Sequence, residues 1–183
     1  MKSGVFFERD GILNQARDDK KGQLSPLTLE EFHLNPEAVE LLRQLKSAGF
    51  ILIATTNQPG LSRGYQSRRD LDLMHAIMMK HLPLDDILVC PHDETDRCPC
   101  RKPKPGLLFE AAFKWHLDLD RCFVISNKWQ DAQAAHIAGC TSLLIKSPWT
   151  GSGHHDFILN DLPAAVAKVL NLASPASVLL ART

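Results

Sequence analysis

Four side chains able to hold a metal crowd into one short stretch of this sequence. Cys90, His92, Cys98 and Cys100 lie within eleven residues, in the pattern Cys-Pro-His followed by Cys-Pro-Cys. Three thiolates and one imidazole suit a tetrahedral zinc ion with no position left open for catalysis. Such tight spacing is poor for a disulfide framework. The stretch between Val89 and Pro103 has few apolar side chains, so zinc would give it the order that a core cannot. The alternative is free cysteines beside a surface histidine. A second constellation is acidic: Glu8 and Asp10 stand two residues apart in Phe6-Phe7-Glu8-Arg9-Asp10-Gly11. Neighbouring carboxylates repel, and they need a cation, a shared proton or a raised pKa. Magnesium would meet that need and would also hold a substrate phosphate. A polar turn after a strand is the plainer reading of the same residues.

The elements that must position these groups are legible as alternation. Val5 to Phe7, Phe50 to Ala54, Ile87 to Val89, Phe123 to Ile125 and Ser142 to Ile145 are short apolar runs that read as buried strands. Between and after them, Pro36 to Ala48, Arg68 to His81, Gly106 to His116, Trp129 to Ala138 and Asp161 to Leu172 read as helices, with Gly49 and Gly139 marking two helix ends. Strand–helix alternation predicts an α/β fold, a Rossmann-like parallel sheet with helices on both faces. Ligands of such sheets bind beyond the carboxyl ends of the strands. Each polar cluster follows a predicted strand. One domain over residues 1–173 is expected, with the zinc loop at 90–102 and a tail at 174–183 in which Val178, Leu179 and Leu180 could dock. Cys122 and Cys140, beside apolar runs, read as small buried hydrophobes.

The order and content of the clusters resemble the haloacid dehalogenase superfamily of phosphatases. Glu8-Arg9-Asp10-Gly11 is similar to its first motif, Asp-x-Asp-Gly. The resemblance implies that Glu8 stands at the position of the attacking carboxylate and that Asp10 is the general acid/base. Thr56, in Thr55-Thr56-Asn57-Gln58-Pro59-Gly60, matches the strand-terminal hydroxyl that binds phosphate, with Asn57 beside it. Cys98-Pro99-Cys100-Arg101-Lys102-Pro103 resembles the branch acting on sugar bisphosphates and histidinol phosphate, in which the zinc loop delivers an Arg and a Lys onto the phosphate. Arg101 and Lys102 would take those roles, the guanidinium gripping in two places and the ammonium offsetting charge. A solvated basic turn is the alternative. Ser126-Asn127-Lys128-Trp129-Gln130-Asp131 lines up with Gly-Asp-x-x-x-Asp, which implies Glu8, Asp10 and Asn127 around magnesium and Lys128 and Asp131 in support. The resemblance spans roughly residues 4–172.

Two positions depart from the family pattern. Glu8 in place of Asp moves the carboxylate by up to one C–C bond, ~1.5 Å, and a misplacement of about 1 Å can cost around 100-fold in rate. Asn127 in place of Asp removes one negative charge from the metal site. Two readings therefore stand: a magnesium-dependent phosphatase of a small sugar phosphate, or a degenerate member that binds phosphate or a protein partner without efficient turnover. The 44% apolar share and formal net charge of zero give no reason to expect nucleic acid or an anionic membrane as partner. No signal-like segment opens the chain, and a cytoplasmic location is expected.

Overall fold

The computed structural model describes residues 1–19 and 22–174. In chain order these form β1 (Gly4–Glu8), β2 (Arg17–Asp19), β3 (Gly22–Leu24), α1 (Ala38–Ser47), β4 (Ile51–Asn57), α2 (Arg68–His81), β5 (Asp86–Cys90), α3 (Gly106–Trp115), β6 (Phe123–Ser126), α4 (Trp129–Ala138), β7 (Thr141–Ile145), β8 (Phe157–Leu159) and α5 (Leu162–Leu172). Six strands make one sheet in the order β5-β4-β1-β6-β7-β8, and every pairing in it is parallel. β2 and β3 form a separate antiparallel hairpin.

The run Val5-Phe6-Phe7 explains the layering. Successive strand side chains point to opposite faces. Val5 and Phe7 enter a core shared with Leu42 and Leu45 of α1, Met74 and Met78 of α2 and Val166 and Val169 of α5. Phe6 enters the opposite core, with Leu107, Leu108 and Ala111 of α3 and Ala134 and Ala135 of α4. Leu52 and Ala54 against Ile53, and Phe123 and Ile125 against Val124, repeat the same division. Both faces are covered, which is the doubly covered α/β fold that alternation predicts.

The differences from expectation have physical reasons. β4 runs three residues beyond Ala54 because Thr55, Thr56 and Asn57 pair with Leu88, Val89 and Cys90. Polar residues extend a strand when a neighbour supplies ladder partners. This register sets the Thr-Asn motif beside the first thiol of the metal loop. The hairpin β2–β3 and the edge strand β8 each have three residues per strand, too few to show periodicity. α1 begins at Ala38, later than Pro36. Gly139 ends α4 in the left-handed region at φ 83°, the conformation glycine adopts most readily. Residues 175–183 of the expected tail, including Val178, Leu179 and Leu180, lie outside the described residues. Among the described residues, no helix is long and apolar enough to cross a membrane.

Candidate active site and metal loop

The carboxyl ends of β1, β4 and β6 bring the acidic and basic clusters to one place. Glu8, the last residue of β1, is buried, as are Asp10, Thr56, Lys102, Asn127 and Asp131. The Lys102 ammonium bridges two carboxylates: Glu8 Oε2 accepts from Nζ, and so does Asp131 Oδ1 at 2.6 Å. A third bond from Nζ reaches the Thr55 carbonyl at 3.1 Å. Lys128 Nζ stands 3.5 Å from Glu8 Oε1, the oxygen that also accepts from the Asp10 amide at 3.2 Å. Burial opposes ionisation of Glu8, and the Lys102 and Lys128 charges overcome it, so its carboxyl lies below the usual range. Burial likewise resists the charge on Lys102, and Asp131 and Glu8 reverse that and raise it. Asp131 is pushed up to about 6 by burial, with Lys102 opposing the rise and Glu8 adding to it. One ammonium lies between two buried carboxylates, and Asp131 is the one that takes a proton more readily.

Asp10 is held by a different set. Its Oδ1 accepts from Arg9 Nε at 2.8 Å and Asn14 Nδ2 at 3.1 Å, and its Oδ2 accepts from Ser25 Oγ at 2.7 Å and Gln58 Nε2 at 2.8 Å. Burial would raise this carboxyl, but Arg9, then Lys128 and the hydrogen bonds from Ser25 and Asn14, hold it well below the usual carboxylate range. Arg9 is fully buried, 5.9 Å over the Phe32 ring and 3.1 Å from His75 Nε2 on α2. Gln58 Nε2 also donates to Thr56 Oγ1 at 2.8 Å, tying the phosphate-motif hydroxyl to the Asp10 network.

A cleft of ≈ 460 Å³ opens above these groups, with Glu8, Lys102, Lys128 and Asp131 on its floor and Arg17, Arg63 and Arg101 around it. Two sequence-predicted residues take contacts the sequence does not reveal. Asn57 clamps the backbone of Lys102, donating to its carbonyl at 3.1 Å and accepting from its amide at 3.2 Å. Arg101 lines the cleft but donates to the His92 carbonyl at 3.1 Å and pairs with Glu94. Asn127 lies at the end of β6, its carbonyl accepting from Ser147 Oγ at 2.7 Å. Glu8, Asn127 and Asp131, all buried at these strand ends, carry oxygen donors, the ligand type that magnesium takes. Asp131 Oδ2 is buried without a hydrogen-bond partner, an acceptor that a cation could use. Both Asp10 oxygens are already occupied by donors.

The residues that sequence reading passed over are those holding Asp10: Arg9, Asn14, Ser25, Gln58 and, behind them, His75. Gln58 and Arg9 lay inside quoted motifs, and their polar character in tight strand-end turns was the available signal. Ser25 follows a hairpin too short to read, and nothing local marks His75.

The metal loop joins the floor through Lys102. Cys90, His92, Cys98 and Cys100 direct their ligand atoms to within 4.8 Å of one another. Neighbouring sulfurs are 3.5 and 3.7 Å apart, and His92 Nδ1 is 3.3 and 3.7 Å from two of them. Ligands placed tetrahedrally ~2.3 Å from zinc would be separated by about 3.8 Å, so the cluster fits that ion. Lys104 Nζ donates to the Cys98 carbonyl at 2.6 Å, and Arg63 of the loop after β4 pairs with Asp93 at 2.5 Å. Gly106 opens α3 where a side chain has no room: a Cβ there would lie 2.4 Å from the Pro99 carbonyl oxygen.

Comparison with known proteins decides the family. The HAD-hydrolase-like family model matches residues 99–172. D-glycero-beta-D-manno-heptose-1,7-bisphosphate 7-phosphatase from Pseudomonas aeruginosa is 32% identical over 185 residues, covering 98% of each chain. This chain belongs to the haloacid dehalogenase family. The Bordetella bronchiseptica phosphatase of the same name is 32% identical, covering 96% of this chain and 97% of its own. A crystal structure of the B. bronchiseptica D,D-heptose 1,7-bisphosphate phosphatase, described as complexed with magnesium and phosphate, aligns with a TM-score of 0.81 at 29% identity, over 94% of this chain and all of that one. A putative HAD-like phosphatase from Mesorhizobium loti aligns at 0.75 and 26% identity, over 94% and 88% of the two chains. Membership over nearly the full length means that the haloacid dehalogenase architecture is retained around Glu8 and Asn127.

Proposed function

We propose that this chain is a magnesium-dependent phosphatase of a sugar phosphate, of the kind its heptose-bisphosphate relatives are named for, working slowly through an acyl phosphate on Glu8. The observation that carries the reading is a buried, ionised Glu8 on the floor of a cleft ringed by cationic side chains. In the first step a Glu8 oxygen bonds to phosphorus, the bond from phosphorus to the sugar oxygen breaks, and that oxygen takes a proton that Asp10 must first have taken up from water, since its carboxyl is ionised in this arrangement. In the second step water bonds to phosphorus, Asp10 takes the released proton, and the Glu8–phosphorus bond breaks to free phosphate. The strong ionisation of Asp10 suits the second step best. Lys102, Arg101 and Thr56 are assigned to the phosphate oxygens, with Asn57 positioning Lys102 and with Lys128 and Asp131 in support. Glu8 and Asn127 are assigned to magnesium, which would neutralise phosphate charge; Asp10 reaches it only by exchanging one of its donors. Zinc is assigned to Cys90, His92, Cys98 and Cys100 as a structural ion.

A second reading, phosphate binding without efficient turnover, is favoured by the ion pair that already occupies Glu8 and by Asn127 at the metal position. One assay separates the two: phosphate release from a panel of sugar mono- and bisphosphates with magnesium, using Glu8→Gln as control. Slow, magnesium-dependent release abolished in Glu8→Gln is expected. Absence of release, with inorganic phosphate still bound, would establish the second reading.

A further inference from the structure

The donors on Asp10 divide its carboxylate into two unlike ends. Oδ1 takes Arg9 Nε at 2.8 Å and Asn14 Nδ2 at 3.1 Å; Oδ2 takes Ser25 Oγ at 2.7 Å and Gln58 Nε2 at 2.8 Å. Ser25 and Gln58 line the cleft, whereas Arg9 and Asn14 are not part of its wall. Oδ2 is thus the oxygen on the cleft side, held by two neutral donors. Oδ1 faces an ionic contact inside the fold, with Arg9 Nη2 also 2.8 Å away. Arg9 has no exposed surface, so its charge must find its partners within the protein. Its Nη1 lies 3.1 Å from Nε2 of His75, which stands on α2 beside the buried Met74 and Met78. Nη2 makes no hydrogen bond of its own, so among the described residues His75 is the one acceptor besides Asp10 that the Arg9 side chain has.

A guanidinium carries donors only. The Nη1 contact is therefore a donation, which puts a lone pair on His75 Nε2 and the ring proton on Nδ1. Burial and then the Arg9 charge push His75 down to about 4, so the ring is neutral and its lone pair is available. Asp10 and Asp72 favour its protonation and Arg68 opposes it, and Asp72 already pairs with Arg68 at 2.9 Å. Bonds at two separate nitrogens, Nε and Nη1, fix the plane of a rigid fork. With Nε alone held, the group could swing about that bond.

We infer that His75 is a positioning residue, which holds the Arg9 guanidinium against Asp10 Oδ1 and so leaves Oδ2 as the oxygen that exchanges protons in the cleft. The assignment of Oδ2 rests on the phosphatase reading; the anchoring of Arg9 does not. Ser25 can turn its hydroxyl away, and Gln58 keeps a second acceptor in Thr56 Oγ1 at 2.8 Å, so Oδ2 can be released without breaking an ion pair. His75 touches neither substrate nor the reacting atoms and acts only through Arg9.

Two measurements on the zinc-loaded full chain test this. Nitrogen NMR of wild type should show His75 as the neutral Nδ1–H tautomer and an Arg9 Nε–H signal slow to exchange with water. His75→Gln sets a carbonyl oxygen where Nε2 stands, His75→Asn sets it nearer the backbone, and His75→Leu fills the space without an acceptor. The slow Arg9 signal should persist in His75→Gln and be lost in the other two, with zinc content and melting temperature verifying the fold. In magnesium-dependent phosphate release from the sugar phosphates, kcat should fall about tenfold or more in His75→Leu and His75→Asn with KM within about twofold, because proton transfer and not binding is misplaced. His75→Gln should restore most of that loss. A wild-type Nε2–H tautomer, or an Arg9 signal unaltered in His75→Leu, overturns the anchor. Equal losses of kcat in His75→Leu and His75→Gln would make His75 a packing residue and overturn it as well. A rise in KM at constant kcat overturns the assignment to Asp10. Should wild type release no phosphate, the phosphatase reading falls with the role of Oδ2, and the NMR comparison alone decides whether His75 anchors Arg9.

Discussion

The acidic floor and the cysteine loop are both clusters of groups that repel or desolvate one another, and the protein treats them differently. On the floor, every carboxylate has a cation from the chain itself: Lys102 for Glu8 and Asp131, and Arg9 for Asp10. In the loop, three thiols and an imidazole face one another, and among the described residues no cationic side chain joins their cluster. Burial pushes the Cys90 thiol up to about 12, its thiol neighbours adding to the rise. The floor is complete as a protein structure and holds its charge balance within the sheet. The loop leaves four ligand atoms within 4.8 Å of one another, and it carries Lys102 onto the floor and Arg101 to the edge of the cleft. The expected difference is one of dependence: a floor whose charges the chain itself pairs takes Lys102 from a loop that zinc would hold.

The largest expected effect tests the loop. Cys98→Ser should abolish stoichiometric zinc, because the tetrahedral set loses a thiolate. It should also strip the floor of ordered Lys102, so phosphate binding should be lost beyond detection. Elemental analysis and calorimetry together measure this; phosphate affinity unchanged in a zinc-free variant would break the dependence just described.

Next comes the floor itself. Lys102→Ala leaves two buried carboxylates without their ammonium, and removing one partner of a buried pair costs about 3–5 kcal/mol. Urea denaturation should show that loss, and adding Glu8→Gln with Asp131→Asn should recover much of it. A destabilisation below about 1 kcal/mol would mean the triad is better solvated than its burial implies.

Turnover sharpens the same comparison. Glu8→Asp with Asn127→Asp should raise magnesium-dependent phosphatase activity by roughly 100-fold or more, since it corrects a misplacement of about 1 Å and returns a charge to the metal. The single changes should gain less and should not simply add, because the two groups act as one unit. Brisk hydrolysis by the unaltered chain would defeat this account of Glu8 and Asn127.

The smallest effect probes what lies behind Asp10. Burial and then the charge of Arg9 lower His75 from its usual 6.5 to about 4. A histidine with a depressed folded pKa contributes stability that is present above pH 6.5 and lost as pH falls towards 4. Wild type should therefore lose roughly 2 kcal/mol from this group between pH 7.5 and pH 5, and His75→Gln should lose less over the same interval. Parallel stability–pH curves for the two proteins would show that His75 does not titrate as its surroundings require.

Much of this architecture is legible in the sequence. The alternation of apolar runs with helical periods determined the sheet and its two covered faces, because strand and helix periods report burial directly. The Cys/His cluster was equally legible, since all its donors lie within eleven residues and ligand spacing is a local property. The Asp10 network was not. Its donors come from Arg9, Asn14, Ser25 and Gln58, and His75 stands behind Arg9, sixty-six residues further along the chain. Nor did any pattern announce that β4 would extend to Asn57 and set that side chain on the backbone of Lys102, forty-five positions away. The sequence alone determined which chemical groups are present and which secondary structures carry them. Tertiary structure decided which charge meets which, because the Coulomb and hydrogen-bond terms that set each pKa depend on distances the folded sheet creates.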